Sequence, residues 1–153
     1  MWTSETFLVI IFNCCCYSTH PSPESATPPN QLVCLFVLFT PVGARVFARW
    51  NNGLYYRGFV TKATSTNVFI TYDDGDIITL LKSDRTAVIL DKLPCYSHVK
   101  PGQRVIGYWP GRTRYYPGVV ESKGSTGSNN YYHVKFDDGD QRMEDFNQIR
   151  LIP

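Results

Sequence analysis

The stretch Ile70-Thr-Tyr-Asp-Asp-Gly75 returns later in the chain as Val134-Lys-Phe-Asp-Asp-Gly139. In both places an apolar, a polar and an aromatic residue lead into two aspartates and a glycine. The alternation predicts a half-buried β-strand. Asp-Asp-Gly predicts a tight turn, because glycine accepts a positive φ and aspartate bonds locally to the backbone. Each copy therefore predicts a strand that enters a β-hairpin.

The repetition extends upstream of this turn in the same order, as expected of a duplicated module of about 55 to 60 residues. The extra residues of the second copy fall near Pro110 and within residues 123–130, where the turn-like composition predicts loops. The repeated positions are Gly43, Arg45, Val46, Trp50, Tyr55, Tyr56 and Gly58, which return as Gly102, Arg104, Val105, Trp109, Tyr115, Tyr116 and Gly118.

Ten short strands are predicted, five in each copy, and no stretch of comparable length has a helical stripe. Five short antiparallel strands bury enough apolar surface only by curling into a small barrel. We therefore predict an all-β monomer with an N-terminal extension over residues 1–40, a barrel over 41–92, a linker over 93–99 and a second barrel over 100–153. The predicted strands cover residues 45–50, 55–62, 68–72, 76–80, 87–90, 104–109, 115–121, 131–136, 140–143 and 148–152.

Charge separates the extension from the repeats. The chain has 153 residues and a formal net charge of +2, and all 15 Lys and Arg lie at or after Arg45. Residues 1–44 carry only Glu5 and Glu24, and they hold two apolar runs, residues 7–12 and 32–39. Both runs are shorter than the roughly 20 residues that span a bilayer. We read this segment as a poorly ordered tail or a mistranslated start; a secretory signal stays an alternative, although no basic residue precedes the first run.

The repeated motifs resemble the Tudor domains of the Royal superfamily. The resemblance rests on Trp50, the Tyr-Tyr pair with Gly58, and the aromatic-Asp-Asp-Gly turn, in that order and twice over. The resemblance covers about residues 42–153, and it is greatest to tandem Tudor-like modules. It implies five-stranded SH3-like barrels, a nuclear or cytoplasmic location, and binding of methylated lysine or arginine in a histone or other protein tail.

Strand parity places the repeated aromatics at one mouth of each barrel, beside a carboxylate from the turn. Aromatic faces attract a methylammonium ion, which loses its water more easily than a free ammonium does, and a nearby carboxylate complements its charge. The predicted ligand-binding residues are Trp50, Tyr56, Tyr72 and Asp74 in the first cage, and Trp109, Tyr116, Phe136 and Asp138 in the second.

A structural role stays open for all of these residues, because small barrels fill their cores with large rings and aspartates serve turns. The Tudor resemblance is also incomplete. Methyl-lysine readers often place a further aromatic after Asp-Asp-Gly, where this chain has Asp76 and Asp140, and Pro110 follows Trp109 directly. We therefore favour the first cage. Residues of opposite parity are expected to join the two barrels, namely Phe47, Tyr55, Phe59, Phe69, Ile106, Tyr108, Tyr115 and Val119.

Two further binding functions stay open, and catalysis is not expected. Arginines interleaved with aromatics suit nucleic-acid binding through phosphate contacts and base stacking, and a strand edge suits an unmodified peptide. His20, His98 and His133 have no metal or nucleophile spacing, so we expect neither a metal site nor a cofactor. The arginines in question are Arg45, Arg49, Arg57, Arg104, Arg112 and Arg114.

Overall fold

The computed structural model describes residues 40–127 and 129–153. Apart from Thr40, the predicted N-terminal extension lies outside the described residues. Strands and turns make up nearly all of the described chain, which has one short 3-10 helix, Tyr96–His98, and the all-β class is confirmed. In this part of the chain, no helix is long and apolar enough to cross a membrane.

The ten strands fall into two halves of five. We call residues 41–92 the first half and residues 93–153 the second half. The first half contains β1 (Arg45–Arg49), β2 (Tyr55–Ala63), β3 (Asn67–Tyr72), β4 (Ile77–Leu81) and β5 (Val88–Leu90). The second half contains β6 (Arg104–Tyr108), β7 (Arg114–Thr126), β8 (Asn129–Phe136), β9 (Gln141–Asp145) and β10 (Ile149–Leu151).

Both halves follow the same pairing order, and every pair is antiparallel. In the first half β1 pairs with β2 and β5, while β3 lies between β2 and β4. In the second half β6 pairs with β7 and β10, while β8 lies between β7 and β9. β2 also pairs with β7, so all ten strands belong to one sheet. Among the described residues neither half closes its ladder, and the division into two barrels stays a prediction.

Gly58 and Gly118 are required where the long strands β2 and β7 cross their neighbours. A Cβ atom on Gly58 would lie 2.6 Å from the carbonyl oxygen of Thr71, and one on Gly118 would lie 2.6 Å from that of Lys135. Both contacts are with backbone, which cannot move aside without breaking the sheet. The glycine of each Tyr-Tyr-X-Gly motif therefore permits a close approach between strands. The register shifts soon after each glycine, as in a β-bulge, which bends the strand locally.

The Asp-Asp-Gly motifs form the predicted hairpin turns. Gly75 and Gly139 both have φ of 96°, a conformation that favours glycine. The predicted loop over residues 123–130 is wrong, because the extra residues of the second copy lengthen the β7–β8 hairpin instead. Ser125 pairs with Asn130 and Thr126 pairs with Asn129. Ser, Thr and Asn can be paired there because both hairpin strands run along the surface.

Each half has its own apolar core, and a third cluster lies between the halves. The predicted parity holds for the cores. The first core contains Val46, Ala48, Val60, Val68, Ile70 and Tyr72. The second contains Val99, Val105, Val120, Tyr132, Val134, Phe136 and Ile149, so the end of the predicted linker packs into the second half. The third contains Phe47, Tyr55, Ile89, Ile106 and Tyr115, with Tyr108 and Ile152 packed against it.

The third cluster corresponds largely to the predicted contact between the halves. Phe59, Phe69 and Val119 share the strand parity but lie outside this cluster, and Phe59 is 37% exposed. The reason is that only the Tyr55 end of β2 meets β7, where Tyr55 pairs with Tyr115. The side chains farther along β2 therefore turn away from the second half. This short seam brings one aromatic cluster of each half close to residues of the other.

Candidate functional site: two aromatic clusters

The first cluster gathers three rings that are distant along the chain. Trp50 follows β1, Tyr56 lies near the start of β2, and Tyr72 ends β3. The ring centroids of Trp50 and Tyr72 are 5.4 Å apart with the planes at 78°, and those of Tyr56 and Tyr72 are 6.1 Å apart at 80°. Edge-to-face contacts at such distances are favourable, and they hold the three rings together.

The three rings line a pocket of about 190 Å³ that opens to solvent. All four predicted residues of the first cage line it, and Asn52 and Asp76 complete the wall. Asn52 is not among the site residues predicted from the sequence. Asp76, which follows the Asp-Asp-Gly turn, adds a second carboxylate to the rim. The first site therefore combines three rings with two carboxylates.

Hydrogen bonds hold two of the rings in place. The Nδ2 atom of Asn52 donates to the hydroxyl of Tyr56 at 2.9 Å. The hydroxyl of Tyr72 donates to the carbonyl oxygen of Ala48 at 3.3 Å. Burial raises the pKa of Tyr72 well above its ordinary value, and the negative charge of Asp74 raises it further. Tyr72 therefore stays neutral at any physiological pH.

The aspartates of the first turn have separate partners. Asp73 forms a two-pronged ion pair with Arg45, at 2.7 and 2.8 Å, and hydrogen bonding to Arg45 lowers the pKa of Asp73. Oδ1 of Asp74 accepts the backbone N–H of Asp76 at 3.1 Å. Asp74 therefore stabilises the turn, as expected of an aspartate there, through one of its carboxylate oxygens. The side chain is exposed and still borders the pocket.

The second cluster repeats the arrangement of rings. The centroid of Trp109 lies 6.0 Å from that of Tyr116 and 5.7 Å from that of Phe136, and Tyr116 and Phe136 are 6.2 Å apart. Asp138 caps its turn as Asp74 does, accepting the backbone N–H of Asp140 at 3.1 Å. All three predicted rings of the second cage therefore come together.

Two charged residues distinguish the second cluster from the first. The guanidinium of Arg142 lies over the ring of Trp109, 5.6 Å from its centroid. Nε of Arg142 is 3.2 Å from Oε1 of Glu144, whose side chain is completely buried. Burial raises the pKa of Glu144 to about 7, against the opposing effect of Arg142. The sequence reasoning assigned neither residue, although both lie at inward positions of β9, where charge is unusual.

Two grooves run beside the seam, and each draws residues from both halves. The first groove, of about 460 Å³, adjoins the first cluster and shares Tyr56, Tyr72 and Asp74 with it, while Tyr108 and Arg112 reach it from the second half. The second groove, of about 540 Å³, adjoins the second cluster at Tyr116, Phe136 and Asp138, and Arg49 and residues 52–55 reach it from the first half. Trp109 is not among the residues that line the second groove.

A model of the family described as "Domain of unknown function (DUF4537)" matches residues 43–153. The chain belongs to this family. Because the match covers both halves, the DUF4537 region includes both aromatic clusters and the seam between them.

Two known proteins resemble the DUF4537 chain. Lysine-specific demethylase 4B of Mus musculus is 34% identical over 83 residues, which are 54% of this chain and 7% of the demethylase. The match is therefore to a small part of that protein. A crystal structure of the SHH1 SAWADEE domain of Arabidopsis thaliana superposes with a TM-score of 0.52 at 14% identity, covering 74% of this chain and 99% of that domain. This likeness shows that the chain and the SAWADEE domain have a similar fold.

Proposed function

We propose that this DUF4537 protein is a chromatin-binding module that takes a methylated lysine or arginine of a protein tail into the first aromatic cluster. The observation that carries the proposal is the pocket in which three rings and two carboxylates meet. The resemblance to part of a lysine-specific demethylase supports a role on modified protein tails, and the likeness to a SAWADEE domain supports the fold. The proposal is one of binding and includes no catalytic step.

The chemistry of the pocket suits a methylammonium group. Each ring contributes roughly 0.5 to 2 kcal/mol to holding a cation, depending on how far water is excluded. Asp74 and Asp76 complement the positive charge or accept an N–H from a lower methylation state. The rings alone do not reach micromolar affinity, which needs about −8 kcal/mol. We infer that the peptide residues on either side of the methylated residue lie in the first groove. Tyr108 and Arg112 of the second half extend the contact with the peptide there.

We further propose that each half is a Tudor-like barrel, the first over residues 41–92 and the second over 100–153, with a connecting segment over 93–99. The identical pairing order and the separate core of each half support this division. Neither barrel is proposed to act alone, since the first groove draws residues from both halves. We propose a nuclear location on the same grounds as the chromatin function.

Nucleic-acid binding is less well supported by the geometry. Four of the six candidate arginines form ion pairs with carboxylates, which reduces the positive charge available to phosphates. The pairs are Arg45 with Asp73, Arg49 with Asp84, Arg57 with Asp91, and Arg104 with Asp137. If nucleic acid were the ligand, affinity would fall steeply with added salt, whereas caged binding depends on the methyl groups.

Calorimetric titration of the full chain tests the proposal, using histone-tail peptides that are identical except for methylation of one lysine or arginine. We expect at least one methylated peptide to bind ten or more times more tightly than its unmodified form. Trp50→Ala should abolish that preference, and Trp109→Ala is the matched variant of the other cluster. Equal affinity for every methylated and unmodified pair would overturn the reader function and leave the fold untouched.

A further inference from the structure

The two aromatic clusters differ at two inward positions of the edge strand of each half, β4 in the first and β9 in the second. In β4 these positions hold Ile78, which pairs with Ile70, and Leu80. In β9 they hold Arg142, which pairs with Val134, and Glu144. The first cluster therefore has apolar neighbours on this strand, whereas the second has a cation and a buried carboxylate.

The buried carboxylate borders the second cluster. A Cβ atom on Gly107 would lie 2.9 Å from the ring of Phe136 and 3.7 Å from the carboxyl carbon of Glu144, so ring and carboxyl face the same small gap. The corresponding position of the first half is Ala48, which fills this gap with a methyl group. Gly107 therefore leaves room for the Phe136 ring, and the Glu144 carboxyl lies beside it at ordinary contact distance.

Neither carboxylate oxygen of Glu144 has a hydrogen-bond partner. Oε1 of Glu144 is within ion-pair distance of Nε of Arg142. The Nε–H of Arg142 also lacks a hydrogen-bond acceptor, so the two groups are close but not aligned for a hydrogen bond. A buried carboxylate without hydrogen bonds is costly unless a cation with N–H donors reaches it. The arrangement of Trp109, Phe136 and Glu144 is thus suited to a planar guanidinium, which stacks on a ring and donates to a carboxylate at once.

We propose that the second aromatic cluster is a guanidinium site whose occupant is Arg142 of the same chain. While Arg142 stays on Trp109, an arginine-like cation from outside competes with it and is held off. Displacement of Arg142 opens the site to a guanidinium, which distinguishes it from the first cluster, where no side-chain carboxylate is buried. This inference rests on the proposed function, because it assigns the methylated residue of the protein tail to the first cluster alone.

Two-dimensional proton–nitrogen NMR of the full chain tests this with two small probes, tetramethylammonium and methylguanidinium. The indole N–H signals of Trp50 and Trp109, assigned by single Trp→Phe substitutions, report the two clusters separately. In the natural protein we expect tetramethylammonium to shift the Trp50 signal, and methylguanidinium to leave the Trp109 signal in place. In Arg142→Gln, methylguanidinium should shift the Trp109 signal at concentrations at least ten times below the highest that leaves this signal in place in the natural protein.

The double variant Arg142→Gln with Glu144→Gln should lose the Trp109 response, because the carboxylate is then absent. An equal response of Trp109 in the natural protein and in Arg142→Gln would overturn the internal-occupant proposal, and so would no response in Arg142→Gln. A missing Trp50 response would count against the proposed function instead. If Arg142→Gln does not fold, the proton signals of the natural protein test the proposal instead. The Cδ protons of Arg142 should be shifted upfield by the Trp109 ring, and unshifted protons would overturn the proposal.

Discussion

Asp91 of the first half accepts two hydrogen bonds from Arg150 of the second half, through one oxygen, at 2.9 Å from Nε and 2.7 Å from an Nη atom. The other oxygen lies 3.3 Å from Nε of Arg57. The two guanidinium groups lie over the ring of Phe47, at 5.2 and 5.5 Å from its centroid. A single carboxylate therefore ties β10 to β2 across the seam, and an aromatic ring of β1 supports both arginines.

We expect Asp91→Asn to destabilise the protein by about 2 to 4 kcal/mol, because Arg150 is buried and would lose its counter-charge. Urea unfolding, followed by circular dichroism, gives the free energy of unfolding. Asp73→Asn is the matched control. Its pair with Arg45 is exposed, so its loss should cost less than about 1 kcal/mol. Equal losses for the two variants would show that the seam does not depend on Asp91.

Asp74→Asn should weaken binding of a methylated peptide about three- to tenfold, because it removes one negative charge beside the cation and keeps the turn. The amide oxygen of asparagine can still accept the N–H of Asp76, so the hairpin is preserved. Peptide titration by calorimetry measures the change. Asp138→Asn alters the corresponding turn of the second half and should leave affinity unchanged. A larger effect of Asp138→Asn would move the site to the second cluster.

Gly58→Ala should destabilise the protein by about 2 to 3 kcal/mol, because the added methyl would meet the backbone of β3 at 2.6 Å. The strands cannot part without losing ladder hydrogen bonds. Lys62→Ala, at an exposed position of the same strand, should change the free energy of unfolding by less than about 0.5 kcal/mol. Thermal and urea unfolding of the two variants measure these changes in the free energy of unfolding. A Gly58→Ala protein as stable as the natural one would mean that β2 and β3 separate more easily than the contact implies.

Glu144 should give the protein a stability that falls as pH rises toward neutrality. Its pKa is about 7 in the folded chain, above the ordinary value of 4.5, so the folded state binds this proton more tightly than the unfolded state does. The contribution is therefore complete below about pH 4.5 and is lost as pH rises through 7. It amounts to up to about 3 kcal/mol.

Glu144→Gln removes this titration and isolates it from the other groups. Urea unfolding of the two proteins between pH 4.5 and 8 should show the variant gaining stability relative to the natural protein as pH rises. A constant difference across that range would mean that Glu144 stays ionised throughout, with Arg142 outweighing its burial. Binding at the first cluster serves as a check that both proteins are folded.

Much of the fold followed from local patterns. Alternation of apolar and polar residues located all ten strands to within a few residues, except at the longer β7–β8 hairpin. Asp-Asp-Gly located both turns, since the positive φ of Gly75 and Gly139 is a local requirement. Parity also predicted that Trp50, Tyr56 and Tyr72 would share a face. The side on which each residue of a strand lies is set by the pleat alone, which explains why short-range patterns were sufficient.

Other features needed the folded chain. The pairing of β2 with β7, the shared Asp91 and the two grooves depend on how the halves meet. Strand parity predicted most residues of the cluster at the seam, but not which strands pair there. The same holds for Arg142 and Glu144. Strand alternation gave their inward positions. The short distance from Arg142 to Trp109 and the burial of the Glu144 carboxylate arise only when β9 packs beside β8. Repetition and strand periodicity defined the elements and the two candidate clusters. Long-range packing decided that one cluster opens as a pocket and that the other holds an arginine of its own chain.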